Sequence, residues 1–290
     1  MADAAEAELP FVARDGLPLV GTLFSPGGGD GPRLPAVVVV HGFGGSRGSS
    51  IRLWGQELAR RGFPAFVVGT RGSDRAWTHG GRRYGGAHEW LDEAPRDLRG
   101  AADALRRRGH EQFILAGQSL GCVKVVHAQA VSPVEGVVGV VARAGPRFAP
   151  DALARYGEAF AAAMRAAEER VAAGDPEGLI ETAVPVPGPF AAGTFLEKYG
   201  PHGRYDWPVL IERVAVPWLV VLGGADPSPL VQAAIAHARG WKTTPPGCEV
   251  RVVPHWQHGI ELPGEDVPAG SAQLLADWWA RREAARPTTR

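Results

Sequence analysis

Short apolar, mostly β-branched runs alternate with longer helix-patterned stretches along most of this 290-residue chain, and that alternation constrains the fold more than any other feature. Ala36-Val37-Val38-Val39-Val40 is apolar at every position rather than at every second one. A strand with one wet face would alternate, so an unbroken run marks a strand covered on both faces by helices. Ala65 to Val68, Phe113 to Ala116, Val137 to Val141, Trp218 to Val221 and Val250 to Val253 are expected to join it in a sheet. Helices are expected from Ser50 to Arg61, from the Asp92-Glu93-Pro95 region to Gly109, and from Ser119 to Val131. Two more are expected from Pro229 to Ala238 and from Ala272 to Arg282. The chain reads as α/β, with a mostly parallel sheet flanked by helices. Phe11 to Phe24 reads as a hairpin about Asp15-Gly16, Gly27 to Pro35 as a connection, and Thr70 to Trp90 as a Gly-rich loop with aromatics.

From Pro146 to Tyr205 the alternation breaks into an Ala-rich helix (Leu153 to Val171), a Pro/Gly-rich segment (Val184 to Pro189) and mixed aromatics. Residues 146–205 are therefore expected to form a helical cap or lid inserted into a core made of residues 1–145 and 206–290. The last helix carries Trp278 and Trp279, which suit the core better than a dimer face, although a homodimer stays open.

Composition narrows the partners. The formal charge is zero, so no attraction to nucleic acid or to an acidic membrane is expected. No apolar run approaches the ~20 residues that span a bilayer. Two cysteines, Cys122 and Cys248, give neither a disulfide framework nor a metal-type spacing. The acidic start, Met1 to Glu8, lacks the basic-then-apolar order of a signal peptide, and a cytoplasmic location is expected.

Chemistry concentrates at four places. Gly117-Gln118-Ser119-Leu120-Gly121 fits G-x-S-x-G, with an apolar strand ending just before it and a helix pattern behind it. A tight strand–turn–helix lifts a serine oxygen clear of the sheet, which a nucleophile needs. Gly44-Gly45-Ser46-Arg47-Gly48 fits the same pattern, but five residues of loop separate Ser46 from its strand. His41-Gly42-Phe43-Gly44-Gly45 follows the first buried strand, where glycines let the backbone approach a substrate. The amides of Phe43 and Leu120 are the expected donors to an oxyanion. His258 sits in a loop after the last strand and is the expected general base, with His255 as its rival. Asp226 directly follows the Trp218 strand and is the expected orienting acid, with Asp206 as the weaker candidate.

On these motifs, together with Gly223-Gly224-Ala225-Asp226 and Gln257-His258-Gly259, the sequence resembles the α/β-hydrolase superfamily over nearly its whole length outside the 146–205 insertion. Thr70-Arg71-Gly72-Ser73-Asp74, with the acidic stretch before the Asp97 helix, resembles a bacterial branch of esterase-like hydrolases. The resemblance implies an eight-stranded sheet, a chain order of nucleophile, acid and base matching Ser119, Asp226 and His258, and an acyl-enzyme mechanism without metal or cofactor. A small-molecule substrate is the expected partner, held by Trp77, Tyr84 and Trp256, with Phe43, Phe190 and Phe195 also available. Arg71, Arg143 and Arg147, near strand ends, are candidates to bind a substrate carboxylate. The expected reaction is hydrolysis of a small or medium carboxylic ester. A thioesterase or lactonase would use the same residues, and a non-hydrolytic ligand-binding protein could keep the fold.

Overall fold

In the computed structural model, which describes residues 4–27, 34–241, 243–259 and 266–285, the chain opens as an antiparallel hairpin. Strands β1 (Ala5–Val12) and β2 (Pro18–Ser25) pair around a turn in which Gly16 takes a φ of 87°. Most of the Gly27 to Pro35 connection lies outside the described residues. Strand β3 (Ala36–Val40), helix α1 (Ile51–Arg60) and strand β4 (Ala65–Val68) follow. The Thr70 to Trp90 loop holds a small antiparallel ribbon, β5 (Trp77–His79) with β6 (Arg82–Tyr84).

Helix α2 (Ala94–Arg106) leads to β7 (Phe113–Gln118), α3 (Leu120–Val131) and β8 (Val137–Arg143). Between β8 and the next sheet strand come α4 (Pro150–Leu153), α5 (Gly157–Ala172), the antiparallel ribbon β9 (Leu179–Thr182) with β10 (Gly188–Ala191), α6 (Ala192–Tyr199) and α7 (Trp207–Leu210). The chain closes with β11 (Trp218–Gly223), α8 (Pro229–Arg239), β12 (Glu249–Val253) and α9 (Val267–Ala284).

The main sheet has eight strands in the order β1-β2-β4-β3-β7-β8-β11-β12, parallel from β4 onward. It is the expected mostly parallel α/β sheet. Unbroken apolar strands follow from helices on both faces. Val38 and Val40 pack into the core beneath α2 and α3, while Val37 and Val39 pack under α1 and α9. Trp278 and Trp279 are buried in that second core, on the chain's own sheet.

Several elements differ from the sequence reading, three of them for a local reason. The expected Leu153 to Val171 helix is broken at Gly157, whose φ of 59° leaves the right-handed region, so α5 starts there afresh. The Pro/Gly-rich Val184 to Pro189 segment, with its cis Val184–Pro185 peptide, forms the tip and first residues of the β9–β10 ribbon, so residues 146–205 hold strands as well as the expected helices. Helix α9 begins at Val267, five residues before the expected start. The Asp266 carboxylate caps it by accepting the Ala269 N–H at 2.9 Å.

The path of the chain places the site. After β3 the chain moves outward to β4, then returns past β3 to β7. Loops leaving the C-terminal ends of β3 and β7 therefore part in opposite directions and leave a crevice between them, where open α/β sheets bind ligands.

Candidate active site

Ser119 lies in that crevice, in the one-residue step between β7 and α3. Its φ of 56° and ψ of −125° are unfavourable for a side-chain-bearing residue, and its N–H donates to the Arg143 carbonyl at 2.9 Å. The flanking glycines are dictated by space. A Cβ on Gly117 would lie 2.1 Å from the Gly121 carbonyl oxygen, and one on Gly121 would lie 2.3 Å from the Val40 oxygen. No side chain fits at either position, so G-x-S-x-G here reports how tightly β3, β7 and α3 meet. Ser46, by contrast, spends its hydroxyl on the Gly48 N–H at 3.3 Å within its own loop.

His258 bridges Ser119 to Asp226. Its Nε2 is 2.8 Å from Ser119 Oγ and its Nδ1 is 2.9 Å from Asp226 Oδ2. A carboxylate can only accept, so Nδ1 carries the proton and Nε2 is free to accept from the serine hydroxyl. Asp226 is 2 % exposed and follows β11 in a turn; its other oxygen accepts the Ser228 N–H at 2.9 Å. The rivals are engaged elsewhere: His255 is exposed, and Asp206 precedes α7 and holds Arg147 at 3.2 Å.

The His258 loop is held from below by side chains that no sequence motif marks for that role. Gln118 Nε2 donates to the His258 carbonyl at 3.3 Å. Arg143, at the end of β8, donates to the Gly259 carbonyl at 2.8 Å and to Ser271 Oγ at 3.1 Å, and its guanidinium lies 5.7 Å over the Trp256 ring. Burial pulls its pKa down to about 10 against the favourable field of Asp226. A signal existed in the sequence, an arginine ending an otherwise apolar strand, but nothing in it tied that arginine to residues more than a hundred positions away.

The loop after β3 is built on a second histidine. His41 is fully buried, donates from Nδ1 to the Gly42 carbonyl at 2.7 Å, and accepts at Nε2 from Thr70 and Ser73 hydroxyls, each at 3.0 Å. Burial, aided by the nearby Lys124 charge, lowers its pKa to about 3 and keeps it neutral. A Cβ on Gly42 would approach the Ser119 Cβ to 3.0 Å, and Phe43 lies beside it. Phe43 and Leu120 line one cleft together with Ser119 and His258. Leu120 opens α3, where an amide has no acceptor within its own helix.

That cleft encloses about 290 Å³. Its far wall comes from the 146–205 segment: Phe148, Tyr156, Pro185, Val186, Pro187 and Tyr199. Phe43 stacks on Phe190 of β10 at 4.8 Å, and Arg75 ties the ribbon to the Phe43 side by donating to the Pro187 carbonyl at 2.9 Å. Apart from the Ser119–His258 pair, its polar groups are the Tyr156 and Tyr199 phenols and Ser228, with no formal charge among them. Burial raises the pKa of both phenols.

The other expected substrate contacts lie elsewhere. Trp77 and Tyr84 stack on each other at 4.7 Å across the β5–β6 ribbon, and Trp77 lines a separate cleft beside Leu19, Ser46 and Asp74. Trp256 is buried against α9, where Gly270 leaves room for its ring. Phe190 and Phe195 are fully buried beneath the wall, packing against Tyr199. The three arginines are committed to protein groups. Arg71 meets Asp15, Glu93 and Asp97; Arg147 meets Asp151 and Asp206; Arg143 holds the His258 loop. Among the described residues no cluster of histidine, cysteine and carboxylate side chains could hold a metal.

No protein-family model matches the sequence, and no curated protein matches it. Solved structures do match its fold. The α/β hydrolase GrgF from Penicillium sp. sh18 is 16% identical with a TM-score of 0.68, covering 97% of this chain and 99% of that one. Est1E from Butyrivibrio proteoclasticus, solved with ferulic acid, is 16% identical with a TM-score of 0.63, covering 93% and 99%. The Pyrococcus furiosus esterase Pf2001 is 15% identical with a TM-score of 0.64, covering 96% and 91%. The chain has the α/β-hydrolase fold.

Proposed function

We propose that this protein is a serine hydrolase that cleaves a carboxylic ester of small or medium size through an acyl-enzyme. The observation that carries the reading is the unbroken chain Ser119–His258–Asp226, at 2.8 and 2.9 Å, opening into the 290 Å³ cleft. Ser119 Oγ attacks the carbonyl carbon while His258 Nε2 takes its proton, and Asp226 steadies the imidazolium that forms. The Phe43 and Leu120 amides receive the oxyanion. His258 then protonates the leaving alcohol, and a water activated by the same imidazole releases the acid. Segment 146–205 acts as the cap that shapes the acyl site. That GrgF is a hydrolase and that Est1E and Pf2001 are esterases supports the reaction class. The uncharged, aromatic lining favours a neutral, apolar acyl group.

The test is hydrolysis of p-nitrophenyl esters from acetate to decanoate by the wild type and Ser119→Ala. Turnover is expected to peak at short or medium chains and to fall by about 10⁴-fold or more in the variant. Undiminished turnover in Ser119→Ala removes the nucleophile assignment. A wild type that turns over only thioesters or lactones moves the substrate class and keeps the residues.

A further inference from the structure

Arg143 sits where an arginine is costly. It is 1 % exposed, and the nearby Asp226 carboxylate, whose field favours its charge, is hydrogen-bonded to His258 and Ser228 rather than to it. A buried cation without an ion pair persists only where other groups satisfy its donors. Here the acceptors are the Gly259 carbonyl at 2.8 Å, Ser271 Oγ at 3.1 Å and, at a longer 3.5 Å, the His258 carbonyl. The guanidinium carbon lies 5.7 Å over the ring of Trp256, two residues before His258. One side chain thus grips the His258 loop on both sides of the imidazole and ties it to α9, which carries Ser271. Arg143 also supplies, through its own carbonyl, the acceptor for the Ser119 N–H at 2.9 Å. The same residue therefore touches the backbone of both Ser119 and His258, on two loops that no regular ladder joins.

We infer that Arg143 is a positioning residue for the Ser119–His258 pair, its guanidinium fixing the His258 loop at the distance from which the imidazole can take the serine proton. The inference rests on the reading of Ser119 as nucleophile and His258 as base. Arg143 reaches no reacting atom, so its loss should reduce the rate of serine activation and leave the substrate cleft almost as it was. A misplacement of about 1 Å costs on the order of 100-fold in rate.

Three variants test it: Arg143→Met, which keeps the volume and removes the donors, Arg143→Lys, which keeps the charge and loses the fork, and Arg143→Ala, which leaves space for an added guanidinium ion. Each is compared with wild type and Ser119→Ala, folded fractions being matched by circular dichroism. The readings are p-nitrophenyl butyrate hydrolysis and the rate of Ser119 phosphonylation by a fluorophosphonate. Arg143→Met is expected to lose about 100-fold in kcat and in phosphonylation rate while KM stays within about threefold, with Arg143→Lys in between. Guanidinium ion, but not urea at equal concentration, should restore part of the rate in Arg143→Ala. If Arg143→Met does not fold, the Lys variant and the guanidinium rescue carry the test. A folded Arg143→Lys with wild-type kcat and no guanidinium effect overturns it. Wild-type kcat in folded Arg143→Met with inactive Ser119→Ala overturns the positioning role alone. Activity retained in Ser119→Ala, or a wild type inert to ester and fluorophosphonate, overturns the serine reading beneath it.

Discussion

Ser119 holds a backbone conformation that its side chain disfavours, and α3 cannot begin in the right place unless it does. The strain costs about 1–3 kcal/mol. Glycine adopts the same dihedrals freely, whereas alanine inherits the strain. Ser119→Gly should therefore exceed Ser119→Ala in stability by about 1 kcal/mol in urea unfolding, with both inactive; equal midpoints would mean that the turn is unstrained. His41 gives the pH dependence of the same region. Its folded pKa of about 3 lies below the ordinary 6.5, so between those values the unfolded chain binds a proton that the folded one excludes. Stability is unaffected by this group above pH 6.5 and falls as the pH drops below it, by at most about 1.4 kcal/mol per unit. His41→Asn should show a shallower loss than wild type between pH 6.5 and 4.5. Parallel stability curves would assign acid sensitivity to the carboxylates instead.

At the scale of elements, the β9–β10 ribbon is the part the sequence described least. Its Phe190 is fully buried and meets Phe43, Phe195 and Tyr199 at once. It couples the wall of the cleft to the loop after β3. Phe190→Ala should cost about 3–5 kcal/mol as a core truncation. It should also raise KM for short esters more than it lowers kcat, because the wall moves while Ser119, His258 and Asp226 stay in the loops at the strand ends. A stability loss with unchanged KM would separate the ribbon from the substrate site. The sequence exposed the helices and the sheet strands because each repeats a burial period over several residues. The ribbon and the break at Gly157 have no such period, and their form depends on what they are laid against.

At the scale of the molecule, charge is buried in one region to join elements far apart in sequence. Arg71, 1 % exposed, bonds Asp97 on α2 at 2.7 Å and Asp15 in the first hairpin at 3.0 Å, with Glu93 at 2.8 Å. Burial works against its charge, and these carboxylates more than offset it, raising its pKa above the ordinary arginine value. Arg71→Met should destabilise by about 3–5 kcal/mol, since Asp97 would remain buried without its partner. A thermal-melting shift near zero would mean that water reaches the pair. Among the described residues no helix is long and apolar enough to cross a membrane.

The sequence alone determined the sheet, its flanking helices and the identities of Ser119, Asp226 and His258 as candidates. Local physics writes these features. Two-faced burial forces unbroken apolar runs, a strand–turn–helix without room for a Cβ forces glycines, and each candidate side chain sits in the loop that leaves a strand end. Only the tertiary structure decided which aromatics face the cleft, and that Arg71, Arg143 and Arg147 are bound to the protein itself. Trp77, Tyr84 and Trp256 look as available in sequence as Phe148, Tyr156 and Tyr199. Which set meets Ser119 depends on how residues 146–205 cross the crevice, a long-range packing outcome that no local pattern encodes.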